Sequence, residues 1–364
     1  MSYKFEQFYQ CGNEKFHNIF KAFEHQKQTG HFPKYFIDEE LVQNISNRKK
    51  PKDISPKAIR KLIVNRLKDL RNKYNKLKIA YSGGTDSYTI LKLCIDNDIY
   101  VDETITIMSS LYGNVRVDLE YLSGIKLAKK YEGTYIGKCV EVRPTINDIQ
   151  HVNDPEWFFD ERFVRGAYLP IRPYWLADRI DKEVADGDTV VLTGYECPKF
   201  IIENGIPNWY VDDKCTADLM GVENTVHVFL DKHNPDLVVS LAYASLPFMH
   251  GLKEGQYFSH DFCDRKTKMK MLEAYGLEKS PNNFVNVATL GKKKYNYNTK
   301  AKYFLKELDT NGHSDYRLKY FNTHKRIVDL YGNLPHALNT DGVWMDPVGR
   351  LSQKIPILQD KFAS

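Results

Sequence analysis

Residues 82–87 read Ser82-Gly83-Gly84-Thr85-Asp86-Ser87, and this hexapeptide concentrates more chemistry than any other stretch of the chain. Two adjacent glycines can take positive φ and aim consecutive backbone N–H groups into one concavity. Two serine hydroxyls and one carboxylate stand beside them. An apolar run at residues 78–81 leads in, and a helical pattern leads out from Asp86. The first turn of that helix would turn its N–H groups and positive dipole end to the same concavity, making an anion site. A tight turn capped by Asp86 or Ser87 is the simpler account of a lone Gly-Gly pair. The strand, loop and helix together, with further strand–helix units behind them, favour phosphate.

The loop is not a Walker A loop, because no lysine is placed to reach β and γ phosphates, and the dinucleotide fingerprint GxGxxG is absent. It resembles instead the PP-loop of the N-type ATP pyrophosphatases, whose members show SGGxDS at a strand-to-helix junction. The resemblance implies an adenine nucleotide alpha hydrolase-like fold. It also implies a loop, Ser82 to Ser87, that grips the β and γ phosphates of ATP, with Asp86 holding Mg²⁺ and the α phosphorus left open to attack. Within that superfamily the order of features is most similar to the synthetase domain of asparagine synthetase and β-lactam synthetase. The similarity lies in a cationic amphipathic helix leading into the loop and in VVLTGYE at residues 190–196, like the family's second glycine turn.

Carried over by resemblance, Thr193, Gly194 and Glu196 would face the ATP, and Met108 and Ser109 would contact adenine. Glu196 would act as the single carboxylate of a turn that lacks the family's paired acids. Glutamine-dependent members begin with a nucleophilic cysteine where this chain has Ser2, so glutamine hydrolysis is not expected.

Weaker candidates flank this core. Arg162, Arg165 and Arg172 could bring guanidinium groups to the α phosphate or to a carboxylate substrate, with pairing to Asp160 and Glu161 as the plainer alternative; Arg165 is taken as the catalytic candidate. Lys293, in the run Lys292 to Lys294, could neutralise a charged transition state as late-chain lysines do in the resembled synthetases, although a solvated charge run is the commoner outcome. Interleaved tyrosines in the basic region 291–306 would also suit nucleic acid. Cys197, with Cys215 as partner, could serve sulfur transfer, against the commoner buried thiol. The histidines show no metal-ligand spacing.

The elements that must position these residues can be read from periodicity. Ser55 is an N-cap and Pro56 a first helical residue, and Ile59, Ile63, Leu67 and Leu70 recur on one helical face over residues 56–74. Beyond the loop, strand-like runs at 104–110, 134–142 and 188–194 alternate with helical patterns at about 117–131 and 173–184. That alternation predicts a doubly wound, mainly parallel five-stranded α/β sheet. The expected domains are an N-terminal helical appendage at 1–54, an ATP-binding domain at 55–215, and a mostly helical C-terminal region at 216–364 containing a buried run at 238–248.

The 364 residues are 42% hydrophobic and 27% charged with a net charge of +5, the balance of a globular chain that permits nucleic acid without demanding it. The six cysteines form no CxxC pair. There is no N-terminal apolar leader and no membrane-length apolar window, so a cytoplasmic protein without a membrane partner is expected.

The function expected is Mg²⁺-requiring cleavage of ATP to AMP and pyrophosphate, activating a carboxylate or carbonyl oxygen for attack by an amine; a nucleobase acceptor stays open. Two alternatives remain: a PP-loop sulfur-transfer or adenylylsulfate-reductase-like enzyme, working on tRNA or on an adenylylated sulfate, and a non-catalytic nucleotide-binding module that docks nucleic acid.

Overall fold

A computed structural model of the chain describes residues 4, 6–108, 110–113, 115–154, 156–159, 179–180, 182–194, 199–211, 223–259, 263–277, 306–331 and 352–357. The N-terminal segment holds the expected helices, α1 (Ile19–Thr29) and α2 (Glu39–Ser46), but also a three-stranded antiparallel sheet. Its strands are β1 (Gln7–Cys11), β2 (Glu14–Phe16) and β3 (Lys34–Ile37), in the order β2-β1-β3. The helical appendage is therefore corrected to a mixed one. Tyr9, Tyr35 and Ile37 alternate inward with period two, while Phe8 and Phe36 stack on the outer face.

Helix α3 (Pro56–Lys73) follows the sequence expectation closely. The Ser55 side chain accepts from the Ala58 N–H, Pro56 opens the helix, and Ile59, Ile63, Val64, Leu67 and Leu70 are buried. The chain then enters β4 (Lys76–Ala80), α4 (Thr85–Asp96), β5 (Val101–Ile107), α5 (Val115–Ala128) and β6 (Ile136–Val142). It returns to the other side of β4 as β7 (Thr189–Thr193). The fifth strand is β10 (Thr225–His227), drawn from beyond residue 215, so the sheet extends into the segment read as a separate C-terminal region.

The sheet order is β6-β5-β4-β7-β10 and every pairing is parallel. This is a doubly wound α/β sheet whose direction of winding reverses between β4 and β7. Leu77 and Ile79 join α3 and α4 in the main core, while Val191 on the opposite face packs against Ile180 and Val184. Helices thus cover both faces, as parallel strands require.

Two further strands, β8 (Lys199–Glu203) and β9 (Ile206–Tyr210), form a hairpin directly after β7. With β11 (Tyr257–Phe258) and β12 (Ile355–Pro356) they make an antiparallel sheet in the order β11-β8-β9-β12. The remaining described helices are α6 (Pro235–Ser245), α7 (Arg265–Ala274) and α8 (Ser314–Tyr331). Helix α6 carries most of the buried run expected at 238–248, is buried on all sides except at Asp236, and packs against α2, α3 and α7. No helix among the described residues is long and apolar enough to cross a membrane.

A buried ion cluster ties one helical layer to the centre of the sheet. Lys78 on β4 meets Glu183 at 2.5 Å and its cross-strand neighbour Glu103 at 3.0 Å, and Arg179 pairs with Glu183. Burial alone would lower the Lys78 pKa, but the bonds to Glu183 and Glu103 raise it above the ordinary 10.5. Because the folded value is the higher one, this stabilisation is complete below pH 10.5 and is lost as pH rises through the folded value. Lys78→Met removes the cation that Glu103 and Glu183 share, leaving Glu183 with Arg179, and is expected to destabilise by about 2 kcal/mol. Denaturant unfolding should show that gap at pH 8, and the wild-type advantage should shrink at pH 11.

Candidate functional site

The loop from Ser82 to Ser87 lies where the chain leaves the carboxyl end of β4, beside the point at which the sheet reverses its winding. Ligands of open α/β sheets gather in that crevice. Gly83 has a φ of +75°, a conformation that suits glycine, and it turns the chain into α4. Gly84 occupies the N-cap without a side chain to cap the first turn, and Asp86 is the acidic residue of that turn.

The two serines face each other across the loop. Their hydroxyls are 3.2 Å apart, the Gly84 N–H donates to Ser82 Oγ at 3.3 Å, and the Ser82 N–H donates to Ser87 Oγ at 3.3 Å. The Ser87 hydroxyl also donates to the Gly84 carbonyl at 3.3 Å. The hexapeptide thus presents two hydroxyls, a carboxylate and a helix N-terminus on one small turn, oxygen donors that suit a hard divalent cation and N–H donors that suit phosphate.

Backbone contact fixes this turn from two sides. A Cβ built on Gly194, just after β7, would stand 2.6 Å from Ser87 N and 2.7 Å from the Asp86 carbonyl carbon. A Cβ on Gly124, in the middle of α5, would stand 2.7 Å from Gly83 Cα. The loop is therefore held between the strand beyond the reversal and the helix that follows β5. Sequence reasoning identified Gly194 as part of the site; it missed Gly124, which sits in an ordinary helical pattern and carries no motif.

The other expected residues divide clearly. Thr193 ends β7, and its hydroxyl is hydrogen-bonded at 2.7 Å to Nδ1 of His227 at the end of β10. Both residues are 1% exposed, so Thr193 braces the adjacent strand behind Gly194. Met108 follows β5, buried against Tyr121 and Ile125, with its N–H donating to the Val142 carbonyl at 2.9 Å. Ser109, Arg162, Arg165, Arg172, Glu196, Cys197, Cys215 and Lys292 to Lys294 lie outside the described residues.

Three groups that no local pattern announced also converge on this edge. His227 is one. Arg143, just past β6, donates to the Ser110 carbonyl at 2.6 Å, and Glu307, from a helical turn at 306–310, accepts from the loop after β5. Their partners lie 33 and 197 positions away in the chain, beyond the reach of any motif. Among the described thiols, burial pushes Cys94 up to about 12 and raises Cys139, which keeps both as thiols near neutral pH. Burial likewise pushes the Tyr81 phenol upward at the entrance to the loop.

No protein-family model matches the chain, and no curated protein matches it either.

Replacing a mid-helix glycine with alanine ordinarily stabilises by about 0.5–1 kcal/mol. At Gly124 the sign should reverse, because the new methyl meets the Gly83 backbone; Gly124→Ala is expected to destabilise by about 1–3 kcal/mol. Gly194→Ala should do the same through Asp86 and Ser87. Thermal unfolding of the two variants measures both effects, and a rise in midpoint for Gly124→Ala would show that the loop is not clamped there.

Proposed function

We propose that the chain is an ATP-dependent, Mg²⁺-requiring enzyme that cleaves ATP between the α and β phosphates and transfers the adenylyl group to an acceptor oxygen. The observation that carries this reading is the position of the Ser82–Ser87 turn at the winding reversal of the parallel sheet, clamped between Gly124 and Gly194. A turn held in that way can bind a pyrophosphate unit without reorganising as charge develops on it, which is transition-state stabilisation of a leaving group.

The Ser82 and Ser87 hydroxyls, which here bond each other and Gly84, would turn their protons to β and γ phosphate oxygens, and the first turn of α4 would add its dipole. Asp86 supplies a carboxylate beside those oxygens. Magnesium takes one or two carboxylates together with substrate phosphates and waters, so Asp86 and the two hydroxyls fit it. Bound there, the ion would neutralise charge on the departing pyrophosphate. The loop's lack of a lysine aimed at the γ phosphate separates it from the Walker machinery and favours cleavage nearer the ribose.

Attack by an amine on the adenylated acceptor, with departure of AMP, is the second half of the proposed reaction, and Glu196, Arg165 and Lys293 are its proposed participants by resemblance. The proposed setting is an aqueous compartment with ATP, in keeping with the cytoplasm.

Pyrophosphate release from ATP with Mg²⁺, followed by a coupled phosphate assay across a panel of carboxylates, amines and RNA, tests the proposal. Asp86→Asn and Ser82→Ala should each lower turnover by about 10²-fold or more. ATP binding without pyrophosphate release under every acceptor would instead support the nucleotide-binding module.

A further inference from the structure

The loop after β5 is held by a side chain from far along the sequence. Glu307 is 4% exposed, and its carboxylate accepts three hydrogen bonds from consecutive residues of that loop. The Ser110 hydroxyl donates to Oε1 at 2.5 Å, the Leu111 N–H to Oε2 at 3.2 Å and the Tyr112 N–H to Oε1 at 2.9 Å. From the opposite side the Arg143 guanidinium donates to the Ser110 carbonyl at 2.6 Å. Tyr112 then stacks on His313 with centroids 6.0 Å apart, and Leu308 next to Glu307 is 2% exposed.

A buried carboxylate is costly to desolvate unless donors surround it, and here three donors do. A strand-end loop of this length can satisfy its backbone with water, so stability alone does not call for an anion. What the arrangement achieves is a single fixed shape for residues 110–112, imposed from both sides by charged groups.

The position of that loop gives the shape its use. β5 pairs directly with β4 in parallel register, Ala80 opposite Ile105. Neighbouring strands stand about 4.8 Å apart. The loop after β5 therefore emerges within a nucleotide's length of the turn after β4.

We infer that Glu307 is a positioning residue for the nucleobase end of the nucleotide site. It occupies the Leu111 and Tyr112 N–H groups itself, so the loop contributes a rigid wall and not an adaptable set of donors. The C-terminal segment thereby controls which base fits beside the phosphate turn. This inference rests on the proposed use of ATP.

The experiment compares wild type with Glu307→Gln and Ser110→Ala, measuring KM and kcat for pyrophosphate release with ATP and with GTP. The amide introduced by Glu307→Gln would retain an acceptor for Ser110 and Tyr112 but oppose the Leu111 N–H with its own NH2. Glu307→Gln should raise the KM for ATP about tenfold. Its kcat should stay within about twofold and its preference for ATP over GTP should fall. Ser110→Ala, which removes one neutral donor to Glu307 and keeps both backbone bonds from Leu111 and Tyr112, should raise the KM for ATP about fivefold. Active variants with wild-type KM and wild-type base preference overturn the role of Glu307 while leaving the proposed function standing. A decline in kcat alone with KM and preference unchanged overturns it as well. Wild type that neither binds ATP nor releases pyrophosphate removes the proposed function, and this inference with it.

Discussion

The contact that organises the carboxyl edge of the sheet is backbone against backbone: Gly83 under Gly124 on one side, Asp86 and Ser87 under Gly194 on the other. No side chain fits at either place. A loop held by side chains can shift as rotamers change, whereas a loop wedged between main-chain atoms moves only if the strand or helix behind it moves. Gly124 belongs to the crossover between β5 and β6, and Gly194 to the exit from β7. Crossovers on both sides of the winding reversal therefore converge on the same six residues. The parallel topology is what brings them there, since each strand delivers its loop to the same edge.

Charge is used in two distinct ways around this frame. Away from the loop it is consumed structurally. Lys78 is enclosed by Glu103 and Glu183, the Arg66 guanidinium pairs with fully buried Asp231, and Lys232 reaches Asp38 at 3.1 Å. These pairs join β4 to its covering helix, α3 to the segment after β10, and that segment to the N-terminal unit. At the loop, polarity comes from hydroxyls, one carboxylate and a helix end. The first kind of arrangement fixes the protein's own charges against each other; the second gathers hydroxyls, a carboxylate and N–H groups on one turn at the carboxyl edge of the sheet.

How much of this the sequence disclosed follows from the range of each interaction. Helix α3 was legible because its N-cap, its proline and its apolar stripe are all local. The turn at 82–87 was legible because glycines, hydroxyls and a carboxylate in that order have few uses between a strand and a helix. The N-terminal strands were not, since strands of five and three residues on either side of Gly12 alternate too briefly to outweigh the helical pattern that follows. β10 is three residues long and lies past a stretch without clear period, so the strand-like runs located four of the five expected strands and left the fifth without a position. Glu307, Arg143 and Gly124 acquire their roles only from partners distant in sequence, and a lone glutamate or a helical glycine has no signature of its own. The expected roles of Glu196, Arg165 and Lys293 fall outside the described residues and belong to chemistry rather than to geometry.

The acceptor of the proposed reaction must be sought outside the parallel sheet. An α/β sheet of this kind fixes where a nucleotide lies but says little about what it reacts with, because substrate choice resides in elements added at the carboxyl edge. Here those additions are identifiable. The β8–β9 hairpin begins five positions after Gly194, and β11 and β12 extend it into a sheet of its own. The segment carrying Glu307 joins the loop after β5 and continues through His313 and Tyr316 into α8. One addition therefore follows the strand whose exit clamps the Ser82–Ser87 turn and the other borders the end of β5, with the winding reversal between them. Under the proposed function, recognition of an acceptor would fall to the antiparallel sheet and the C-terminal segment, and pyrophosphate release to the clamped turn.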